Sequence, residues 1–283
     1  QQQFRCKSQR PVRDAPKGRT SMPTVQDVVD CVIHIAGRPL GREEGIQHGS
    51  DATEVSGATI SWMATAPVIH AAGKAGHDLL IAHESLYYPY EVINSEYPPP
   101  GWQDWSVNRH RRALLNRYDL AFARLHGTVD HLCICDAFAS VLKLGEPLEK
   151  DGLVRVYGAE GCTLRELVSR VKGRLEIPAV RVARMHRWDE PLHRIGLPVG
   201  GLGLFVNVGH VQKLVELNCD AMIAGESDDY GFRFALESGA SMIETSHELS
   251  ENPGLEHFRD ILAGEFPGVE FSFFRNRCPW EII

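Results

Sequence analysis

The sequence predicts an α/β fold of two similar, interlinked lobes, each built on a mixed sheet that is flanked by helices. Short apolar runs typical of strands alternate with helix-like segments along most of the 283 residues. Two segments in opposite halves of the chain also resemble each other, which indicates a shared plan. Hydrophobic residues make up 43% of the chain, as in ordinary globular proteins. No apolar run approaches the roughly 18 residues of a membrane span, so we expect no membrane segment.

The two lobes are expected at 22–148 and 149–283, with a C-terminal segment that is able to pack back on the first lobe. Residues 1–21 are interpreted as a disordered basic leader, because the first 20 residues carry six basic side chains and one acidic one. A transit peptide is the alternative interpretation. The rest of the chain is acidic, which argues against non-specific binding to nucleic acid.

The cysteines indicate a reducing compartment. The seven cysteines are an odd set without C-x-x-C spacing, and Cys133 and Cys135 lie in an apolar run. Buried cysteines behave as small hydrophobic residues. We therefore interpret them as structural thiols and expect a cytoplasmic protein.

The first half begins with a helix over residues 24–37. Thr24 can cap its first turn with Asp27 three residues on, and Gly37 fits its end. The stretch 86–108 is rich in proline and tyrosine, and it predicts an ordered loop. The other expected elements are strand 58–63, helix 66–76, strand 78–82, helix 107–116, strand 120–125 and a helix from Asp130 to about Leu144.

The second half repeats this alternation. Thr163 and Glu166 form a capping box that opens a helix. The glycines of Gly200–Gly203 predict a tight turn, and a phosphate-binding loop is the alternative. Asn252 and Pro253 are expected to cap the last helix. The other expected elements are strands 153–157, 180–183, 195–198, 220–224, 241–244 and 269–274, and helices 163–175, 211–217, 232–238 and 252–262.

An internal repeat carries the candidate chemistry. Residues 78–85 and 220–227 are identical at five of eight positions, and the first of them places His83 and Glu84 directly after an apolar strand. In each half a later strand ends in a histidine with an acid four residues on. These pairs are His126 with Asp130 and His247 with Glu251. Because functional groups gather at the carboxyl ends of strands, we expect these side chains to meet in the cleft between the lobes.

Histidine and carboxylate side chains are typical ligands of Zn²⁺, Fe²⁺ and Mn²⁺. Two such ions lie about 3.5–4 Å apart and need bridging carboxylates, for which Asp130 and Glu251 are the candidates. The lack of cysteine favours a catalytic over a structural zinc site. His126 is predicted to act as the catalytic proton carrier, or to orient Asp130 or a bound water. The predicted metal ligands are His83, Glu84, Asp130, His247 and Glu251.

These motifs resemble the Nif-three-like family, also known as GTP cyclohydrolase I type 2 homologues. That family has a strand ending in His-His-Pro, a His-Thr-Asn-Leu-Asp segment, a Thr-Gly-Glu segment, and Gly-His-x-x-x-Glu near its C-terminus. The matching segments here are His83-Glu84-Ser85, His126-Gly127-Thr128-Val129-Asp130, Ala224-Gly225-Glu226 and Ser246-His247-Glu248-Leu249-Ser250-Glu251. The resemblance extends over roughly residues 24–275, and Glu84 replaces the second histidine of the family pair.

The resemblance implies that His83, Asp130 and Glu251 hold one divalent ion, and that Glu84, His247 and Glu251 hold another. It also implies a ring-like homo-hexamer and a purine nucleotide such as GTP as the substrate.

Two functions follow from these residues. The first is a two-metal hydrolase that acts on a small nucleotide-like molecule or another cyclic amide, although a phosphoester is equally compatible with the residues. The second is a non-enzymatic metal-binding protein with a regulatory or interaction role.

Overall fold

The computed structural model describes residues 22–283, so the basic leader predicted at 1–21 lies outside the described residues. The strands are Gly45–His48 (β1), Gly57–Ser61 (β2), Leu79–Ala82 (β3), Ala121–Arg124 (β4), Glu149–Asp151 (β5), Val154–Gly158 (β6), Arg181–Ala183 (β7), Arg194–Gly196 (β8), Ala221–Ala224 (β9), Ser241–Glu244 (β10) and Glu270–Phe274 (β11). The helices are Val25–Ala36 (α1), Ala66–Ala75 (α2), Ser106–Tyr118 (α3), Gly127–Val129 (α4), Cys135–Leu142 (α5), Leu164–Leu175 (α6), Val208–Glu216 (α7), Asp229–Glu237 (α8) and His247–Glu265 (α9). The π-helical turn Asp130–Ile134 joins α4 to α5, and short 3₁₀ turns occupy Val92–Asn94, Trp102–Asp104, Gly200–Gly203 and Phe205–Asn207.

Two mixed sheets organise the chain. The first has the order β1-β4-β3-β2-β11, with β1 antiparallel to β4 and the other neighbours parallel. The second has the order β5-β6-β8-β9-β10-β7, with parallel strands β8, β9 and β10 at its centre. The predicted α/β class with mixed sheets flanked by helices is therefore confirmed.

The end of the chain links the sheets. Helix α9 follows β10 of the second sheet, and β11 then pairs in parallel with β2 of the first. A continuous core joins the layers, since Ile81, Phe258 and Ile223 belong to one cluster of buried apolar side chains. The groups that follow β3, β4 and β10 are consequently held on one shared core.

Both predicted capping boxes are confirmed. The Thr24 hydroxyl accepts from the Asp27 N–H, and the Asp27 carboxylate accepts in return from the Thr24 N–H. Thr163 and Glu166 make the same exchange at the start of α6.

Three features differ from the sequence predictions. Strands β1 and β5 were not predicted, because β1 has no apolar alternation and β5 is a fully exposed edge strand of charged residues. Pro253 was expected to cap the last helix, which is wrong, because it lies inside α9 and the helix begins at His247. One tertiary hydrogen bond secures the early turn, because the Ser246 N–H donates to the Gly225 carbonyl. Within the turn itself the Ser250 hydroxyl donates to the His247 carbonyl.

Within the described residues, no helix has both the length and the apolar character that crossing a bilayer requires.

Candidate metal centre

The main chain brings three strand ends and one helix start together. His83 and Glu84 follow β3, and their N–H groups donate to the Trp62 carbonyl beyond the end of β2. His126 follows β4, the parallel neighbour of β3. Asp130 begins the π-helical turn, a feature that is frequent at functional sites. His247 and Glu251 are one turn apart in α9, so both face the same side of that helix.

The first group of side chains surrounds His83. Its Nε2 lies 3.4 Å from Asp130 Oδ1 and 3.5 Å from Glu251 Oε2. Its Nδ1 lies 3.2 Å from the Leu125 carbonyl, which fixes Nδ1 as the donor and leaves Nε2 facing the acids. The His126 ring packs beside it, with 4.6 Å between the ring centroids. Ligand atoms of His83, His126 and Asp130 all lie within 4.8 Å of one another, so His126 is near enough to share an ion with His83 and Asp130.

The second group surrounds His247. Its Nε2 lies 3.4 Å from Glu84 Oε1 and 3.2 Å from Glu251 Oε1. Its Nδ1 donates to Glu226 Oε2 at 2.9 Å. Histidines that bind metal are commonly oriented by a carboxylate in this way.

Glu251 belongs to both groups. Its Oε2 faces His83 and its Oε1 faces His247, while the Trp62 indole N–H donates to Oε2 at 2.7 Å. The carboxylate is buried, and its two oxygens face different histidines. This is the position that a bridging ligand between two ions would need.

The buried charges shift one another's protonation. Burial opposes protonation of His83, but the charges of Glu251 and Asp130 outweigh it and raise the pKa of His83 well above its ordinary value. The pKa of His247 is raised well above its ordinary value for the same reasons, by Glu251, Glu226 and Glu84 against burial. Burial alone would raise the pKa of Glu251, yet the two histidines hold it well below its usual range.

The donor set fits divalent ions. Among the described residues nine buried side-chain atoms lack a hydrogen-bond partner, and two of them, His83 Nε2 and Glu84 Oε1, belong to this centre. Unpaired buried polar atoms are rare and costly, and here one points into each group. Two ions, one in each group, would satisfy both atoms.

Arg124 compensates for the extra carboxylate at Glu84. The guanidinium is 1% exposed and lies 4.0 Å from Glu84 Oε2 and 3.6 Å from Glu91 Oε1. It also donates to the His83 carbonyl at 3.2 Å and to the Tyr90 hydroxyl at 2.8 Å. Sequence reasoning missed Arg124, although an arginine at the end of an apolar strand was the available signal.

Two further acids were also missed, and both hold the His126 segment. Glu44 Oε1 accepts from the His126 N–H at 2.6 Å and from the Thr128 N–H at 3.0 Å. Glu43 Oε1 lies 3.6 Å from His126 Nδ1, and its interaction with the His126 ring lowers the pKa of Glu43 to about 2. Glu43 and Glu44 are adjacent in the sequence, and this acidic pair was the available signal of their role.

The predicted tight turn at Gly200–Gly203 is confirmed. It packs directly against the centre. Gly200 has a φ of 58°, and a Cβ there would lie 1.9 Å from Glu251 Oε1, so only glycine fits. The Gly200 N–H donates to the Ser250 hydroxyl, and the Leu204 N–H to the Gly201 carbonyl. These donors are engaged within the fold, which disfavours the alternative of a phosphate-binding loop.

A cleft of about 740 Å³ opens above the two groups. Glu84, Asp130, His247 and Glu251 lie among its walls, together with His126. The two sheets therefore leave a small-molecule space directly beside the candidate ligands.

Comparison with known proteins places the fold. A family model described as Duf34/NIF3 (NGG1p interacting factor 3) matches residues 24–279. Hypothetical protein SA1388 of Staphylococcus aureus has a similar structure, with a TM-score of 0.75, 16% identity, and coverage of 92% of this chain and 99% of that one. A Bacillus cereus protein related to NIF3 gives a TM-score of 0.75 at 12% identity over 93% and 100% of the two chains. Reduced HcgD from Methanocaldococcus jannaschii gives 0.69 at 20% identity over 89% and 97%. At these identities the structures show a shared fold, and no curated protein matches the sequence.

Proposed function

The chain belongs to the Duf34/NIF3 family, and on this premise we propose that it binds two divalent metal ions and hydrolyses a cyclic amide bond. One observation carries the proposal: the two oxygens of Glu251 face two adjoining groups of ligand-type side chains, one at His83 and one at His247. Glu84 lies between them, since its Oε1 is 3.4 Å from His247 Nε2 and it offers a ligand atom within 4.8 Å of those of His83 and Glu251. The cleft beside them supports an enzyme over a purely metal-binding role, because it leaves room for a substrate. Zn²⁺, Fe²⁺ and Mn²⁺ all suit this mixture of imidazoles and carboxylates.

The ions would supply Lewis-acid chemistry, by polarising the amide carbonyl and lowering the pKa of a water molecule. The protein contributes orientation, since Leu125 and Glu226 fix the rings of His83 and His247. Hydrolysis forms a bond from the water oxygen to the carbonyl carbon and breaks the C–N bond.

His126 is proposed to take a proton from the water and return one to the departing nitrogen. Glu43 faces its Nδ1, so the other ring nitrogen is the one available for this transfer. The same ring is also within reach of the first group as a ligand. Metal analysis of His126→Gln separates the roles, because a proton carrier leaves metal content unchanged while a ligand does not.

The proposal is tested with the full chain, loaded with Zn²⁺, Fe²⁺ or Mn²⁺ and assayed for ring opening of a panel of lactams, cyclic ureas and purines. We expect metal-dependent turnover of at least one class and its loss on chelation. Asp130→Asn is the inactive comparison, and the exposed residue His257 on α9 provides the matched control His257→Gln.

A protein that retains two ions but opens none of these rings would contradict the hydrolase proposal and favour the non-enzymatic metal-binding role. The homo-hexamer implied by family resemblance stays a separate proposal, for which light scattering on the full chain is the test.

A further inference from the structure

We infer that Trp62 is a positioning residue of the metal centre. Its indole N–H keeps the two oxygens of Glu251 divided between the two groups of ligands, and Asn276, near the C-terminus, holds Trp62 in place. This inference rests on the metal-binding part of the proposed function, because it concerns how one carboxylate is shared between two ions. It does not depend on which reaction the ions catalyse.

Trp62 contacts the centre through both its main chain and its ring. It follows β2 directly, and its carbonyl accepts from the N–H groups of His83 at 3.1 Å and Glu84 at 2.8 Å. Its indole N–H donates to Glu251 Oε2 at 2.7 Å. The ring also lies edge-on to the His247 ring, with 5.3 Å between the centroids. One residue outside the predicted ligands therefore contacts four of them.

The indole N–H determines how Glu251 can use its oxygens. A carboxylate beside two ions can give one oxygen to each ion, or it can give both oxygens to the same ion. The bond from Trp62 fixes Oε2, which lies 3.5 Å from His83 Nε2, while Oε1 lies 3.2 Å from His247 Nε2. Turning both oxygens toward one histidine would weaken or break this bond, and hydrogen bonds to ionised groups are stronger than neutral ones. Trp62 therefore favours the arrangement in which the carboxylate is shared.

Asn276 fixes the main chain of Trp62. Strands β11 and β2 pair in parallel, so the residues that follow the two strands are neighbours. The Asn276 Oδ1 accepts from the Trp62 N–H at 3.1 Å, and its main-chain carbonyl accepts from Asn252 Nδ2 at 3.0 Å. Both asparagines are buried, and Asn252 is the residue after Glu251 in α9. Asn276 consequently joins the segment that follows β2 to the helix that carries Glu251.

The first experiment removes the indole N–H but keeps an aromatic ring, with Trp62→Phe. Zn²⁺ binding to the full chain is measured by equilibrium dialysis over a range of free Zn²⁺, which gives the affinities for the first and the second ion. We expect one ion to be retained and the other to be bound about 10–100-fold more weakly, because Glu251 can then give both oxygens to one ion. Trp188→Phe is the matched control and should bind both ions normally, since Trp188 is also partly buried but lies outside the cleft lining.

The second experiment tests Asn276, and it decides the question if Trp62→Phe does not fold. Asn276→Ala removes the acceptor for the Trp62 N–H, so it should weaken the same ion several-fold. Asn276→Asp keeps the accepting oxygen and should bind both ions as wild type does. Arg275→Ala is the control in the same segment, because Arg275 is exposed and pairs with Glu256. A merely structural role of Asn276 would instead lower the urea midpoint of the metal-free protein without a selective loss of one ion.

Two results would overturn the inference. One is a Trp62→Phe variant in which both ions keep their wild-type affinity or are weakened equally, and the other is identical Zn²⁺ binding by Asn276→Ala and Asn276→Asp. A wild-type chain that fails to bind two ions would overturn the proposed function together with this inference, whereas absence of ring opening would overturn the hydrolase proposal alone. The failures are therefore distinguishable.

Discussion

The group around His83 and the group around His247 share Glu251, but they differ in their other side chains. The first offers the imidazoles of His83 and His126 and one carboxylate of its own, Asp130. The second offers one imidazole, the Glu84 carboxylate, and a further carboxylate behind the ring at Glu226. Nitrogen-rich sites favour zinc and iron, while oxygen-rich sites favour harder ions such as Mn²⁺. The two groups are thus expected to differ in ion preference.

The groups that orient the His83 and His247 rings also differ in charge. A neutral backbone carbonyl, that of Leu125, orients His83, which is fully buried. An ionised carboxylate orients His247, whose side chain is 19% exposed. The pKa of Glu226 is lowered, chiefly by its hydrogen bond with His247. The group behind His247 therefore adds negative charge directly beside its ring, whereas the group behind His83 adds none.

The largest effect is expected from Glu251→Gln, because one residue serves both groups. The amide keeps the shape of the side chain but removes the charge that faces both histidines. We expect both ions to be bound more than about 100-fold more weakly, as judged by mass spectrometry of metal content after dialysis. Glu248→Gln, a buried change in the same helix outside the two groups, should retain both ions. Retention of either ion by Glu251→Gln would contradict the bridging role.

Asp130→Asn and Glu84→Gln should separate the two groups. Asp130 lies 3.4 Å from the His83 ring and Glu84 lies 3.4 Å from the His247 ring. Each variant should therefore keep one ion and bind the other roughly 100-fold more weakly. The ion left in Asp130→Asn should be replaced more readily by Mn²⁺, and the ion left in Glu84→Gln more readily by Zn²⁺. Competition dialysis measures both preferences. Equal loss of both ions in either variant would show that the groups act as one unit.

Removing the negative charge of Glu84 should have an intermediate effect on the stability of the metal-free protein. Glu84→His leaves Arg124 buried with only the half-exposed Glu91 as its acidic partner, and should lower the free energy of unfolding of metal-free protein by roughly 1–3 kcal/mol. Arg124→Met in the same chain should recover most of that loss, because the unpaired charge is then absent. Urea unfolding of the single and double variants gives the coupling energy. Additive losses would contradict the compensation between Glu84 and Arg124.

The sequence was sufficient where local pattern determines structure. Apolar runs located the strands that precede His83 and Glu226. The repeat indicated that equivalent strands in the two halves are followed by equivalent polar side chains. Local pattern failed where distant residues decide. The start of α9 depends on a bond from Ser246 to Gly225, and the burial of Arg124 depends on Glu84 and Tyr90. Neither contact leaves a periodic signal in the chain.

The smallest expected effect is the pH dependence of the metal-free protein. The raised pKa values of His83 and His247 mean that their contribution to stability is complete below about pH 6.5 and is lost as the pH rises through the raised values. Glu251 acts in the opposite direction: its contribution is complete above about pH 4.5 and is lost as the pH falls through its depressed pKa. The metal-free protein should therefore be most stable between these limits.

Metal binding should stabilise the protein more as the pH rises, because ions compete with protons for the same histidine nitrogens. It should therefore oppose the loss of stability at alkaline pH. Thermal unfolding with a chelator should show a midpoint that falls as the pH rises from about 7 to about 10, by about 2–4 °C for each kcal/mol lost. The increment given by added Zn²⁺ should grow over the same range. His247→Gln should flatten the fall, whereas His257→Gln, exposed on the same helix, should preserve it. An unchanged profile in His247→Gln would assign the alkaline loss to groups outside the centre.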